Sequence, residues 1–521
     1  MSTTPPSRAR STAAPRTCRR GRRAAVSAFR IALLIAGLCG SWTASTQTRP
    51  IAIGSKNFTE SYLLAEMMAQ VLEERGFEVR RLSGLGGTLV AFQALQSGEI
   101  DAYPEYTGTL TQAILEAEVE LDEAELDARL APLGVELLPR LGFNNTYAIA
   151  VTGETASRFG LRRVSDLVSL PQLRFGFSHE FRDRADGWPG LQQRYGLPQT
   201  SSSIGHGLAY LALLEGEIDV TDAYSTDGDL LRYDLRVLED DLGFFPAYHA
   251  APLVRDDLDA GVKAALSALT GRLDDEAMRA LNAEVVVEER TFAQVARTFL
   301  LAQGIVASTE ARAPTLWDTL ARNTLTHLKL TAIAVLAACV VGVGLALLVY
   351  RSPALSAGVL YVAGLLQTIP SIALLALMIP LAGVGQAPAI IALFLYSLLP
   401  IARNTITALL TIDPLLQRVT RALGLTELEQ LRHVYVPLAL PHMLAGVRIA
   451  AVVSIGTATL AAFIGAGGLG EPIVTGLALN DTGLILQGAI PAALMALGAE
   501  LFFEVLERRL VPRHLVSQHG A

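Results

Sequence analysis

Between Asp318 and Asp413 the chain carries no carboxylate, and long apolar runs fill that stretch. A water-soluble domain cannot be built from such a segment, whereas about 20 apolar residues are what a helix needs to cross a bilayer. Charged residues crowd the region before it, from Glu60 to Arg312, so the 521 residues divide into a soluble half followed by a membrane half. Five stretches of the second half are long enough to span: Leu328 to Tyr350, Leu355 to Leu381, Ala387 to Leu410, Ile449 to Phe463 with its flanks, and Leu484 to Leu506. Arg351, the cluster from Arg403 to Arg448, and Arg508, Arg509 and Arg513 fall on one side of these spans. On the other side, 381–386 and 471–481 hold no basic residue. Positive charge marks the cytoplasmic face, which places the soluble half outside. Arg322 and Lys329 also fall outside and weigh little against this. The net charge of −8 comes mainly from the soluble half and argues against nucleic acid as a partner, since that needs a basic patch.

The N-terminus agrees with this orientation. A basic region up to Arg30, the apolar run Ile31 to Leu38, and the small residues Thr43, Ala44 and Ser45 describe a secretory leader or a retained anchor over 1–48. The cysteines are Cys18, Cys39 and Cys339, none of them in the soluble half, so neither a disulfide nor a cysteine metal site is expected there.

The soluble half repeats itself. ALQSGEID at 94–101 returns as ALLEGEID at 212–219, and a tyrosine lies five residues beyond each Asp: Tyr106 after Asp101, Tyr224 after Asp219. Glycine suits a helix C-cap, and the apolar residues after it start an extended run, so each copy predicts a helix, a turn and a strand ending near its tyrosine. Open α/β sheets place ligand contacts at strand carboxyl ends. Two lobes each offering a tyrosine to a shared cleft follow from this. The second lobe is expected over about 150–248, with Phe244 to Val254 as the strand returning to the first lobe. The two crossings would form a hinge, and 306–315 a linker to the membrane half. The glycines of SGLGGT (83–88) either bring backbone N–H groups to a ligand or make a turn.

Other patterns are negative. None of the three lysines, Lys56, Lys263 and Lys329, is followed by Ser or Thr, so no phosphate-cradling GKS or GKT exists. The eight histidines show no HxxxH pairing, and no Ser-His-Asp or metal-ligand spacing occurs. The expectation is no catalytic residue, no metal and no cofactor in this chain, with energy supplied by another. GAGGLG at 465–470 follows a span rather than a strand and reads as an extracellular turn. Pro370, Pro380, Pro388 and Pro400 are candidates for helix kinks.

The stretch Thr420 to Gly446, with Gly424, an amphipathic middle, Pro437 and Pro441, describes a short helix lying along the membrane before the next span. It resembles the EAA loop of ABC importer permeases, whose glycine and later Leu-Pro pair fall on Gly424 and on Leu440 and Pro441. Where that family has Glu-Ala-Ala, this chain has Arg418, Val419 and Thr420. The resemblance implies docking to a cytoplasmic ATPase through a loop at about 413–446.

In the soluble half, GSKNFTE, GGT, GEIDAYPEYTGT, FNNTYA, DRADGWPGL and DAYSTDG together resemble the binding proteins for glycine betaine, carnitine and choline. The likeness runs from Ile51 to about Gln303. It implies an α/β two-lobed periplasmic binding protein fold of type II over 49–312, followed over 313–521 by an all-α polytopic membrane domain of five transmembrane helices. It also places an aromatic cage on Tyr106, Tyr147, Tyr224 and Tyr248, and a carboxylate-holding group on Lys56, Thr109 and Arg184.

The chemistry of a quaternary ammonium ligand suits these residue types. A trimethylammonium head has no N–H to donate, so ring faces must recognise it, each contributing roughly 0.5–2 kcal/mol. Arg184 can hold a carboxylate through two parallel hydrogen bonds, with Lys56 as a point charge and Thr109 as a hydroxyl donor. The combined reading is an importer subunit fusing substrate capture and permease, not an enzyme, for glycine betaine or a related osmoprotectant. It sits multi-pass in a bacterial inner membrane with the binding domain extracytoplasmic, works with a separate ATPase, and pairs its permease in a homodimer. Choline, carnitine or another betainised amino acid remains open as ligand, and a membrane-tethered ligand sensor is the alternative of a different class.

Overall fold

The computed structural model describes residues 49–117, 121–307, 315–479 and 481–511; the leader, most of the expected linker and Arg513 lie outside them. The soluble half is built on two sheets. The first has five strands in the order β2 (Val79–Leu82), β1 (Ile51–Gly54), β3 (Ala102–Tyr106), β10 (Ala250–Arg255), β4 (Val135–Leu137). Strand β1 runs parallel to β2 and β3, whereas β10 is antiparallel to β3 and β4. In the second, β5 (Tyr147–Thr152) lies between β8 (Thr221–Tyr224) and β9 (Leu235–Leu238), antiparallel to both. The parallel pair β6 (Phe175–Ser178) and β7 (Ser201–Ile204) joins it through a bridge from Phe175 to Val220. The chain passes between the sheets twice, after β4 and after β9, which is the two-lobed arrangement with a double hinge. Helix α1 (Thr59–Glu74) buries Leu63, Leu64, Met67, Met68, Val71 and Leu72, a helical stripe, in the core of the first lobe.

Each GEID copy forms the same turn. Helix α2 (Thr88–Gln96) ends before Gly98, and a second helix (His206–Leu214) ends before Gly216; both glycines have positive φ, +73° and +72°, as a C-terminal cap requires. The Asp three residues later then closes the lobe. Asp101 accepts the backbone N–H of Ala52 at 2.8 Å, and Asp219 accepts that of Arg174 at 2.8 Å. Each Asp also faces an arginine, Arg255 and Arg174 respectively. The repeat is therefore a device for tying a helix-strand turn to the neighbouring strand. Replacing Asp101 by Ala strands a buried N–H and should cost about 1–3 kcal/mol of stability, read as a lowered midpoint in thermal unfolding of the purified chain.

The expected strand from Phe244 to Val254 is shorter, starting only at Ala250. Pro246 has no N–H to pair, and the N–H of Tyr248 goes to the Asn144 side chain at 2.6 Å, so the segment crosses between lobes as an irregular strap.

Helices α3 (His179–Asp183) and α4 (His206–Leu214) belong to the second lobe, and α5 (Asp275–Val286) to the first. The membrane half contains α6 (Leu316–Val349), α7 (Pro353–Thr368), α8 (Ser371–Ala382), α9 (Gln386–Leu410), α10 (Pro414–Ala422), α11 (Val436–Ala458), α12 (Gly470–Ala478) and α13 (Thr482–Leu510). Among the described residues four helical segments are long and apolar enough to cross a membrane: 316–349, 386–410, 427–464 and 482–510. The fifth expected span is not straight: α7 and α8 meet at 98°. Pro370 offers no N–H and pushes Ile369 out of helical geometry, and the hydroxyl of Tyr396 donates to the Ile369 carbonyl that the break leaves free. Pro380, Pro388 and Pro400 lie within continuous helices.

The cytoplasmic stretch also departs from expectation. Helix α10 ends at Ala422, two residues before Gly424, whose φ is +73°, but a new helix starting at Glu427 runs through a π turn (Leu431–Tyr435) into α11. Leu440 and Pro441 therefore lie inside one long helix rather than at the end of a separate one. The π turn directly before Pro437 shifts the hydrogen-bond register where proline would otherwise clash. Leu415, Val419, Leu423 and Leu428 are exposed around this loop.

The GAGGLG turn has positive φ at Gly465, Gly467 and Gly468 and packs on the soluble half. Gly465 abuts Leu85, Gly86 faces the Phe463 carbonyl, Glu99 lies beside Gly383 and Gly385, and Gly207 of α4 fits against the Ala478 carbonyl of α12. Both lobes thus rest on the face of the membrane half that lacks basic loops.

Candidate ligand-binding site

The carboxyl ends of β3 and β8, the start of β5 and the second crossing strap converge between the lobes. Lys56, Phe58, Tyr106, Thr109, Asn145, Tyr147, Glu180, Arg184, Tyr224 and Tyr248 line one cavity there. All seven residues expected from sequence are among them. Sheet register explains part of this: Tyr147 is the antiparallel partner of Tyr224, and Tyr106 is paired with Ala250 two residues after Tyr248.

The rings form a connected wall. Tyr147 lies 5.3 Å from Tyr224 and 5.5 Å, edge-on, from Tyr248. Phe58 joins Tyr106 at 6.2 Å to Tyr224 at 5.4 Å and so links the first lobe's ring to the wall. Burial pushes the hydroxyls of all four tyrosines above the usual phenol range, so they remain neutral.

The two cations sit at the edge of the ring wall. Lys56 Nζ is 2.6 Å from Glu105 and 5.0 Å from the Tyr106 ring centre. Arg184 Nε bonds Asp186 at 2.8 Å, and its guanidinium lies 5.9 Å from the Tyr147 ring centre. Burial alone would lower the Arg184 guanidinium, but Tyr147 and Asp186 outweigh it and hold it above its ordinary value. Arg184 therefore remains charged in a partly desolvated site, and each of the two cations has a carboxylate behind it. Tyr248 donates to the other Asp186 oxygen at 2.5 Å, fixing ring and clamp in one unit.

Three lining residues were not anticipated. Phe58 stands between Lys56 and Glu60 in GSKNFTE, where an aromatic so close to a lysine was the available signal. Asn145 belongs to the polar run before Tyr147 and hydrogen-bonds Glu60 at 2.9 Å. Glu180 carries no sequence signal; from the second lobe its carboxylate accepts the Thr88 N–H at the start of α2, at 2.8 Å. The SGLGGT glycines thus make a turn whose helix N-terminus is capped by the opposite lobe. Behind Tyr224, the His206 ring lies tilted with centres 4.6 Å apart and contacts Asp227 at 3.0 Å. Burial disfavours its charged form, yet Asp227 and Asp222 raise it to about 10. Among the described residues no His, Cys, Asp and Glu cluster could hold a metal.

Residues 49–302 match the substrate-binding domain of the ABC-type glycine betaine transport system, and residues 334–514 match the binding-protein-dependent transport system inner membrane component. The glycine-betaine-binding protein of Pseudomonas aeruginosa is 37% identical over 290 residues, 52% of this chain and 92% of that protein. The choline transport system permease protein OpuBD of Bacillus subtilis is 46% identical over 187 residues, 36% of this chain and 83% of that one. A solved glycine betaine/carnitine/choline ABC transporter structure, 30% identical, covers 49% of this chain and 99% of its own, with a TM-score of 0.42. The chain carries both components in one polypeptide and belongs to the glycine betaine-type ABC importers of the inner membrane, its binding domain extracytoplasmic.

Proposed function

We propose that the cavity captures glycine betaine or a close zwitterionic relative and that the same chain's membrane half conducts it inward. The observation that carries this is the meeting, in one cavity, of four tyrosine rings with Lys56, Arg184 and Thr109. Rings accept a head group that cannot donate hydrogen bonds, and the two cations with the hydroxyl accept its carboxylate. The relatives' names, a glycine-betaine-binding protein and a choline permease, support the same ligand class. Titration of the full chain in nanodiscs with glycine betaine, choline and proline tests it. Tight betaine binding is expected, and silence toward betaine and choline alike would overturn it.

A second reading, preference for a plain cation such as choline, draws on Glu105, Asp186 and Glu180, whose charges balance or exceed those of Lys56 and Arg184.

Transport itself would be driven by a separate ATPase meeting the loop at 413–446, with two copies of the membrane half forming the pathway. The exposed leucines beside Gly424 support the contact, since a solvent-facing apolar cluster on a short loop suits a protein partner. Changing Leu423 and Leu428 to Asp should abolish betaine-stimulated ATP hydrolysis by the reconstituted complex while leaving betaine binding intact. Uptake into vesicles lacking any ATPase would refute the mechanism.

A further inference from the structure

The last letter of GSKNFTE is a carboxylate that neither the cage nor the clamp uses. Glu60, in the first turn of α1, is 2% exposed. Its Oε1 accepts the Tyr106 hydroxyl at 2.6 Å and the Asn145 amide at 2.9 Å. Its Oε2 accepts the Thr226 hydroxyl and the Asn282 amide, the latter at 3.0 Å. Four donors from four segments meet two oxygens, which is the full acceptor capacity of an ionised carboxylate. No Lys, Arg or His forms an ion pair with it among the described residues, and the nearby Asp227 adds charge of its own sign. Burial is the main reason its carboxyl is pushed up to about 7, against the pull of its hydrogen bonds. A buried anion without a counter-ion is costly, and it is retained one phenol away from the space assigned above to a cation.

Resting on that assignment, we propose that Glu60 sets the cage's preference for a cationic head by acting through Tyr106: the phenol hands its hydrogen bond to the carboxylate, which enriches the ring face turned to the ligand. Glu60 is then a positioning residue that also supplies the negative charge a quaternary ammonium needs once desolvated. Tyr248 donates to Asp186 in the same way, but that charge is already taken by Arg184. Unlike Glu105, Asp186 and Glu180, Glu60 is paired with neither Lys56 nor Arg184.

The test separates charge from shape. Glycine betaine and 3,3-dimethylbutanoate have the same outline, but the second carries a neutral tert-butyl head. Both are measured on the full chain in nanodiscs, the weaker by displacement. Glu60→Gln should weaken betaine by about tenfold or more and the neutral isostere by less than about twofold, the cation-specific part of a ring contact being of that order. Tyr106→Phe, which keeps the ring and removes the link, should show the same cation-selective loss, and the double variant little more than either single change. Wild-type betaine affinity should also rise between pH 6 and pH 8 as Glu60 ionises, and Glu60→Gln should flatten that rise. The titratable or charged groups facing Glu60 are Tyr106 and Asp227, with Lys56 over the Tyr106 ring. Equal losses for both ligands, in Glu60→Gln or, should that variant not fold, in Tyr106→Phe, would reduce Glu60 to a structural hub and overturn the proposal. A wild-type chain that binds no betaine would instead overturn the ligand class itself.

Discussion

Arg184→Ala should lower betaine affinity about 100-fold and choline affinity much less. The variant loses two charge-assisted hydrogen bonds to the ligand carboxylate, roughly 1.5–3 kcal/mol. It also leaves Asp186, 6% exposed, without its cation and facing a ligand carboxylate of like charge. Together these amount to about 3 kcal/mol, near two powers of ten in the dissociation constant. Choline has no carboxylate, and an unpaired Asp186 would attract its ammonium head. Calorimetric titration of both ligands on wild type, Arg184→Ala and Arg184→Lys reads this directly. Arg184→Lys should recover only part of the betaine affinity, because a point charge cannot make the paired bonds. A betaine affinity within threefold of wild type in Arg184→Ala would show that the clamp lies elsewhere.

The second large effect is expected at a residue outside the ligand cavity. Gly207→Val should leave betaine binding unchanged and cut uptake more than tenfold. A side chain at Gly207 would overlap the Ala478 carbonyl, and backbone of α12 cannot swing aside as a flexible side chain can. Overpacking of this kind costs roughly 1–3 kcal/mol, and here it falls on the contact between α4 and α12. The N-terminal end of α4 meets the C-terminal end of α12, so their dipoles add favourably and are separated if the lobe lifts. Parallel measurement of binding and of ATP-dependent uptake in vesicles checks it. Full uptake by Gly207→Val would show that this contact is dispensable.

The sequence made the large divisions legible because they rest on solvent. Carboxylates absent from 319–412 can only mean lipid, and the GEID copies betray helix-strand turns because a left-handed glycine and an N–H-accepting Asp are both needed there. The cage was legible only as a joint pattern carried by likeness to a family, since a tyrosine taken alone has the same letter in any core. Glu60 was invisible for the opposite reason: a Glu in a helix's first turn ordinarily faces water, and its burial is decided by Asn145, Thr226 and Asn282 from distant segments. Phe58 and Glu180 likewise act across lobes, where spacing in the chain carries no information. In the membrane half, local rules failed in both directions. Pro370 broke a span because Ile369 had Tyr396 to take its carbonyl, while Pro441 broke nothing within α11.

Both lobes rest on the chain's own membrane half, and only the seven residues 308–314 separate the described ends, Ala307 and Thr315. A short tether of this kind holds the two partners at an effective concentration on the order of millimolar. Even a weak contact, such as the one at Gly207, is then populated much of the time, without the diffusional search that a free binding protein must make. The seam therefore does not have to be strong to be occupied, and a lobe held by such a tether can open and close while it stays in place.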